Sequence, residues 1–319
     1  MRRRLFLTAM TAFGAFPVRG EVPSRWQAAW PRTNFDRMLV DPAEIRSGGV
    51  PKDGIPALDG VSFGSGQGIP AQEPVVTVAL DGAAERAYPV RYLMWHEIAN
   101  DHIEDVPVAV TYCPLCNSAL VFDRRVDGRT LSFGVTGMLR HSDLIMYDRE
   151  TESWWQQIEG RAILGALAGT ELRQVVSWME PLAAFLARSS DAMVMDEPRG
   201  ARSYGRNPYR GYDTSARPFL YDGSAPPHGI EPLARVVKVG DRAWPLSRFD
   251  EGTELREAGL RLVWAGRMAS ALDAGLIADG REVAAIRVFD EAGRDVPHEV
   301  VFAFAFHAFE PEGVWMLGR

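Results

Sequence analysis

Residues 106–123 read VPVAVTYCPLCNSALVFD, and they contain the clearest secondary-structure signal of the chain. β-Branched and aromatic residues dominate residues 106–112 and 118–122, and this composition is typical of strands. Between them, residues 113–116 read Cys-Pro-Leu-Cys, where a proline favours a turn. The stretch therefore predicts two strands joined by a turn that carries both cysteines of the chain.

Strand and turn signals recur on both sides of this stretch. Asp-Gly dipeptides at residues 81–82 and 127–128 are turn signals that separate apolar segments. Short helices are predicted at residues 91–100 and 181–188. Together these patterns predict a mainly β fold of the α+β class with a few short helices. The further strand candidates are residues 75–80, 87–90, 130–135, 144–147 and 154–158.

Three sequence features of the N-terminal part recur in the same order downstream. This order predicts two related β-rich halves that arose by internal duplication, with chance similarity between β-hairpins as the alternative. Because only the first half contains cysteines, one half would hold the chemistry while the other serves as scaffold. The matched features are residues 75–90 with 236–246, residues 121–129 with 288–294, and Trp154 with Trp315.

Four segments follow from these patterns. We expect an export signal at residues 1–20 and a loop-rich lead-in, rich in Pro and Gly, at residues 21–72. The first β-rich half, with the cysteines, spans residues 73–225. The second half, without cysteines, spans residues 226–319.

The first twenty residues contain the parts of an export signal. Residues 2–4 are all arginine and precede a short apolar run that ends at Pro17. The segment RRLFL at residues 3–7 resembles a twin-arginine signal, with an ordinary general-secretion signal as the alternative. We therefore expect the protein in the periplasm or outside the cell.

The charge of the chain excludes one class of partner. The net charge is −7, and removing the four arginines of the first twenty residues leaves −11 on the remainder. Because nucleic-acid binding needs a basic surface, we expect no nucleic-acid partner. No interior run reaches the eighteen or so apolar residues of a membrane span, so we expect no transmembrane anchor.

Cys113 and Cys116 are the two cysteines of the chain, and three kinds of chemistry are open to them. A structural disulfide would close a very short loop and would restrict the unfolded chain little. A thioredoxin-like pair opens a helix, whereas residues 118–124 are typical of a strand. A Cys-Pro-x-Cys turn between strands resembles a metal knuckle, but one knuckle needs further ligands.

Few side chains can complete a metal site. We take Cys113, Cys116, His96 and His141 as candidate ligands, with His102 a weaker one. Two thiolates with an imidazole would suit a soft metal, copper above all, or zinc. A lone histidine is more often a hydrogen-bonded structural residue, so the imidazoles stay candidates only.

Polar residues near the dithiol could line a cleft. Arg140, Asp143 and Asp148 follow the predicted strands, and Arg206 and Asn207 lie in the tyrosine-rich loop of residues 204–213. The structural alternative is a hairpin turn at residues 148–153, because Asp and Thr favour turn hydrogen bonds. For the tyrosine-rich loop, the alternative is a tether whose rings cover the core.

Several motifs resemble those of one bacterial and archaeal family of mostly exported proteins. That family is known only as domain of unknown function 3179, and the resemblance covers roughly residues 35–319. It implies a single family domain and a site location, but no reaction. The motifs include WHEIAND at 95–101, VTYCPLCN at 110–117, SDL at 142–144, MYDR at 146–149 and YGRNPY at 204–209. The implied family-motif positions are His96, Asn100, Asp101, Cys113, Cys116, Asp143, Asp148, Arg206 and Asn207.

Three functional hypotheses remain. The first is an exported metal-binding protein with copper or zinc at the Cys113 and Cys116 site, supplied by a periplasmic metal-delivery partner. The second is a thiol-disulfide oxidoreductase or redox sensor that uses both cysteines as catalytic groups with a periplasmic redox partner. The third is a non-catalytic binding or scaffold protein.

Overall fold

The computed structural model describes residues 20–189, 191, 193–200 and 202–318. The predicted export signal lies outside the described residues except for Gly20. Strands make up 39% of the chain and helices 14%, which confirms a mainly β fold with short helices. Five sheets of three to five strands and one two-stranded ribbon form these elements, and the sheets are arranged like a five-bladed propeller ring.

Twenty-four strands and four α-helices are present in the described part of the chain. The helices are α1 (Ser24–Ala29), α2 (Val90–His96), α3 (Leu182–Arg188) and α4 (Ala303–Phe309). The strands up to residue 140 are β1 (Ile45–Ser47), β2 (Leu58–Asp59), β3 (Phe63–Gly64), β4 (Pro74–Val78), β5 (Arg86–Pro89), β6 (Ile98–Ile103), β7 (Val106–Cys113), β8 (Ser118–Asp123), β9 (Arg125–Val126), β10 (Arg129–Thr130) and β11 (Phe133–Arg140). The later strands are β12 (Asp143–Asp148), β13 (Trp154–Gln156), β14 (Arg161–Leu164), β15 (Gln174–Val175), β16 (Ser177–Pro181), β17 (Met193–Met195), β18 (Arg235–Val239), β19 (Arg242–Pro245), β20 (Glu254–Glu257), β21 (Leu260–Ala269), β22 (Glu282–Asp290), β23 (Glu299–Phe302) and β24 (Val314–Trp315).

The two strands predicted around the cysteines form the centre of one sheet. This sheet has the order β15-β8-β7-β6-β2, and β7 pairs antiparallel with β8 from Val108 opposite Asp123 to Cys113 opposite Ser118. Every residue of β8, and all of β7 after its first residue, is buried. The chain reverses between them over residues 114–117, and the predicted hairpin is confirmed.

The helix predicted over residues 91–100 is too long. In the structure α2 ends at His96, and Ile98 already pairs with Thr111 in the sheet. Glu97 has a φ of +59°, a conformation that ends a helix. The β6 strand therefore replaces the last part of the predicted helix, because pairing with β7 outweighs local helical preference.

The segment predicted as a lead-in adds short edge strands to three sheets. In it, β1 pairs antiparallel with β11, β2 pairs parallel with β6, and β3 pairs antiparallel with β17. Such edge strands satisfy backbone groups that would otherwise face solvent.

Four consecutive strands of one sheet have the same arrangement as a second, four-stranded sheet. The first sheet has the order β16-β4-β5-β17-β3, and the second has the order β23-β18-β19-β24. In both, the fourth strand, β17 or β24, pairs in parallel and follows a helix, α3 or α4. Trp154 lies on β13 in another sheet, whereas Trp315 lies on β24, so these two residues are not equivalent. The internal duplication stays a prediction.

The second half packs directly on the turn that carries the cysteines. The backbone N–H of Phe302 on β23 donates to the carbonyl of Cys116 at 2.9 Å. The Asn117 side-chain amide donates to the carbonyl of Val300 at 2.7 Å. These bonds attach a turn of the first half to a strand near the end of the chain. No described helix has the length and apolar character that a membrane crossing requires.

Gly137 marks a bulge in β11 that brings the chain against Val50. Its φ is +75°, and an added Cβ atom would lie 2.1 Å from the Val50 carbonyl oxygen. We expect Gly137→Ala to lower the free energy of unfolding by about 3 kcal/mol, from backbone strain and steric overlap together.

Gly128 provides the matched control, because it has the same φ of +75° and open space around it. Gly128→Ala should cost only about 1–2 kcal/mol, the strain of the left-handed conformation alone. Urea denaturation of both variants measures the difference. Equal losses of stability would show that the close approach to Val50 does not constrain position 137.

Candidate functional site

Residues 113–117, which we call the dithiol turn, carry both cysteines, and the two cysteine side chains are buried. Cys113 is the last residue of β7, and Cys116 lies in the turn before β8; their exposed fractions are 1% and 0%. Asn117 closes the turn with a φ of +52°, a conformation that asparagine tolerates better than most residues. Both cysteines are free thiols. The Cys113 thiol lies 3.8 Å from the Ser142 carbonyl oxygen.

The carboxyl group of Asp143 lies close to the two sulfur atoms. Ligand atoms of Cys113, Cys116 and Asp143 all lie within 4.8 Å of one another, and all three residues are buried. In the described part of the chain, no other group of three or more His, Cys, Asp and Glu residues meets this distance limit. The structure therefore brings together two predicted metal ligands and one residue predicted only to line a cleft.

A tight turn places Asp143 beside the sulfurs. Arg140 at the end of β11 pairs with Asp143 at the start of β12, so the turn contains only His141 and Ser142. Both turn residues have positive φ, +50° and +67°, as a two-residue hairpin of type I′ requires. The same turn directs the Ser142 carbonyl at Cys113.

The two oxygens of Asp143 have different environments. Oδ2 accepts hydrogen bonds from the Gln156 side chain at 2.7 Å and from the Ile158 backbone N–H at 3.0 Å. Oδ1 is buried and has no hydrogen-bond partner among the described residues. A buried polar atom without a partner is costly, so Oδ1 is available to a ligand.

Two further acidic residues surround this group. Glu97 follows α2 and is 8% exposed, while Glu299 on β23 is 4% exposed. Glu299 accepts a hydrogen bond from the Ser118 hydroxyl at 2.6 Å and lies 3.4 Å from the Lys238 ammonium group. We call Glu97, Cys113, Cys116, Asp143 and Glu299 the acid cluster.

Burial favours the protonated form of every member of the acid cluster. It raises the pKa of Asp143 to about 7, although hydrogen bonds from Gln156 and Ile158 oppose this shift. Burial, with the nearby Asp143 charge, raises the pKa of Glu97 to about 8. Burial also raises the pKa of Glu299 against the opposing effect of Lys238.

The same desolvation acts on the sulfurs. Burial raises the pKa of the Cys113 thiol, and a hydrogen bond with Cys116 partly offsets that increase. Burial and the adjacent Cys113 raise the pKa of the Cys116 thiol well above its ordinary value. Neither thiol is therefore activated as a free thiolate by its surroundings.

The candidate imidazole ligands lie elsewhere. His96 contacts the Pro56 carbonyl oxygen through Nδ1 and the Tyr204 hydroxyl through Nε2, both at 2.7 Å. His141 lies 3.4 Å from Glu44. Both histidines are thus held in structural contacts, and neither belongs to the group of three ligands. His102 is exposed on β6.

Four predicted cleft residues have structural partners instead. Arg140 donates to Glu44 at 2.7 Å. Asp148 accepts hydrogen bonds from Thr151 and from the Trp155 indole, as the turn alternative expects. Asn207 fixes the tyrosine-rich loop by donating to the Ala274 carbonyl at 3.0 Å. Arg206 is exposed and forms a backbone bridge to Leu276.

A cavity of about 520 Å³ lies in front of the dithiol turn. Leu115, between the two cysteines, lines it together with Glu97 and residues of the tyrosine-rich loop. The Tyr212 hydroxyl donates to the Leu115 carbonyl at 3.0 Å and accepts from the Phe219 N–H at 3.2 Å. This loop therefore covers the turn and forms one wall of the cavity.

Sequence reasoning missed Glu97 and Glu299. Glu97 stands inside the quoted WHEIAND segment, where its neighbour His96 is the more usual metal ligand. Glu299 has no local signal, because it reaches the dithiol only through packing of the second half on the first. A buried carboxyl is recognisable only when its surroundings are known.

Comparison with known proteins gives one match. The sequence model of a family described as "Protein of unknown function (DUF3179)" matches residues 52–313, which is most of the chain. Neither the curated proteins nor the solved structures contain a significant match.

The raised pKa of Asp143 makes the stability of metal-free protein depend on pH. An unfolded Asp has a pKa of about 3.9, so between there and about 7 only the folded state keeps the proton. The stabilising contribution is therefore full below about pH 4 and is lost as pH rises through the folded pKa. The slope from one such group is at most about 1.4 kcal/mol per pH unit.

We expect Asp143→Asn to flatten this dependence between pH 5 and 7 in chelator-treated protein. Urea denaturation at several pH values measures the free energy of unfolding. Asp105→Asn, at an exposed position, is the control and should keep the wild-type slope. Parallel curves for wild type and Asp143→Asn would contradict a raised pKa at this carboxyl.

Proposed function

The chain belongs to the family of proteins of unknown function DUF3179, and we propose that it is a metal-binding protein whose ion is held by Cys113, Cys116 and Asp143. The family resemblance of the sequence is confirmed, but the membership supplies no reaction. One observation carries the proposal: three buried ligand atoms of the right types lie within 4.8 Å of one another.

The donor types favour zinc over copper. Thiolates bind both metals, whereas a carboxylate oxygen is an ordinary zinc ligand and a poor partner for soft Cu(I). Asp143 Oδ1, which has no hydrogen-bond partner among the described residues, is free to act as the third ligand. In zinc proteins, three protein ligands with one open position are typical of catalytic rather than structural sites.

Charge supports the same proposal. Five acidic groups in the acid cluster are buried, and burial raises the pKa of each. A divalent cation would favour the ionised form of the nearest groups and would release their protons. The described structure offers Lys238 beside Glu299 but no ion pair to Asp143 or Glu97.

Thiol redox chemistry is the second candidate. The adjacency of Cys113 and Cys116 favours it, since their sulfur atoms lie within 4.8 Å of each other. Burial opposes it, because a raised pKa leaves little thiolate to attack a disulfide. A non-catalytic binding role would use the cavity beside Leu115 and leave the sulfurs inert.

Internal duplication remains a proposal, and it fits a protein in which only one of two related halves carries the cysteines. The matching order of four strands in two sheets, β16-β4-β5-β17 and β23-β18-β19-β24, supports it. In such a duplicated protein, the first half would provide the ligands. The second half would act as scaffold and contribute Glu299 to the acid cluster.

We expect protein purified from its native compartment to contain about one zinc ion per chain, measured by plasma mass spectrometry. Cys113→Ser/Cys116→Ser should lose nearly all of this metal. Asp143→Ala should lose most of it, because two thiolates alone make a weak zinc site. His96→Gln and His141→Gln are controls and should keep wild-type metal content, since neither histidine joins the ligand group.

Equal metal content per chain in wild type and in the double cysteine variant would contradict the metal proposal. If the wild-type protein also showed a reversible disulfide and a Cys113 thiol that titrates well below its ordinary pKa, the redox candidate would replace the metal proposal. Metal lost in His96→Gln but kept in Asp143→Ala would show that a different ligand set is used.

Export by the twin-arginine route is also proposed, and it suits a protein that must fold around a buried metal before transport. Arg3→Lys/Arg4→Lys should leave the chain in the cytoplasm of a bacterial host, as cell fractionation would show. Arg2→Lys/Arg19→Lys is the control and should still reach the periplasm. Export of the Arg3/Arg4 variant at the wild-type level would favour the general-secretion alternative.

A further inference from the structure

The cavity in front of the dithiol turn has the character of a small-molecule site. Its volume of about 520 Å³ falls inside the range of roughly 300–1,000 Å³ seen for ligand pockets. Most of its lining is apolar or aromatic, and the tyrosine-rich loop holds one wall in place. Representative lining residues are Val50, Leu115, Leu139, Tyr209, Tyr212 and Phe219.

Glu97 is the unusual member of this lining. Its backbone is fixed on both sides: its N–H donates to the Leu93 carbonyl at 2.6 Å, and its carbonyl accepts from the Tyr112 N–H at 2.8 Å. Its carboxyl group has no hydrogen bond or ion pair with any described residue, although 92% of the residue is buried. Because the carboxyl lines the cavity without a protein partner, a ligand that displaces water from the cavity must itself offer this carboxyl a hydrogen bond.

We propose that this cavity binds a small apolar molecule that carries one hydroxyl group, with the hydroxyl hydrogen-bonded to Glu97. A hydroxyl both donates and accepts, so it can pair with a carboxyl group in either protonation state. The ring or alkyl body of the ligand would pack against Leu115, Leu139 and the tyrosine rings. This site goes beyond the proposed metal centre, since neither cysteine lines the cavity.

Other ligand classes fit the cavity less well. A carboxylate would lose more hydration in a mostly apolar cavity than a hydroxyl does. An ammonium group would lose more hydration in an apolar cavity than a hydroxyl does, and the Arg210 guanidinium at the same cavity would repel it. A purely apolar ligand would leave Glu97 without a partner.

Benzyl alcohol, toluene, benzylamine and benzoate form a matched set of probes, and protein-observed NMR titration measures each affinity. We expect benzyl alcohol to bind about tenfold more tightly than toluene, the effect of one hydrogen bond to a buried group. Benzylamine and benzoate should bind more weakly than benzyl alcohol. Glu97→Met keeps the side-chain size and should reduce the preference over toluene to less than about threefold.

Two further variants separate the cavity from other causes. Ser215→Trp narrows the cavity from an exposed lining position and should weaken benzyl alcohol and toluene alike. Glu104→Met, at an exposed carboxyl outside the cavity, should change neither affinity. Circular dichroism and thermal unfolding confirm that each variant is folded before titration.

The outcomes distinguish this site from the metal centre, because metal content is measured on the same samples. Absence of saturable benzyl alcohol binding, or an unchanged preference in Glu97→Met, would overturn the cavity proposal whatever the metal content. Preferential binding of benzylamine or benzoate would overturn the hydroxyl assignment. Benzyl alcohol binding in the Cys113→Ser/Cys116→Ser variant would support the cavity even if no metal were found.

Discussion

Loss of hydration at the acid cluster dominates the chemistry of this protein. Two thiols and three carboxyl groups share one buried region, and water does not reach most of them. Burial raises the pKa of each, so without a cation the cluster is most stable with its protons retained. Such a region is expensive to build unless it binds something, and both proposals above follow from that cost.

The fold assembles the cluster from parts that are distant in the chain. Cys113 and Cys116 come from the β7–β8 hairpin, and Asp143 comes from the tight turn before β12. Glu299 comes from β23 of the second half, whose Phe302 is hydrogen-bonded to the dithiol turn. Because each element is fixed by sheet pairing, the fold itself holds the two sulfurs and the Asp143 carboxyl close together.

Prediction from the sequence succeeded where local pattern decided the outcome. The hairpin at residues 106–123 is fixed by β-branched residues on both sides of a proline turn, and the structure confirms it. Prediction failed at residues 98–100, where apolar spacing is compatible with a helix but pairing with β7 makes a strand. His96 was a candidate for a similar reason: its residue type suits a metal, but its ring nitrogens contact Pro56 and Tyr204.

The sequence by itself determined the β-rich class, the hairpin that carries Cys113 and Cys116, and the family. These follow from residue type and short spacing, which act within a few residues along the chain. The position of the Asp143 carboxyl beside the two sulfurs, and of Glu97 and Glu299 around them, became apparent only from the folded chain. Proximity and loss of hydration depend on long-range packing, and a local sequence pattern does not reveal which buried groups will meet.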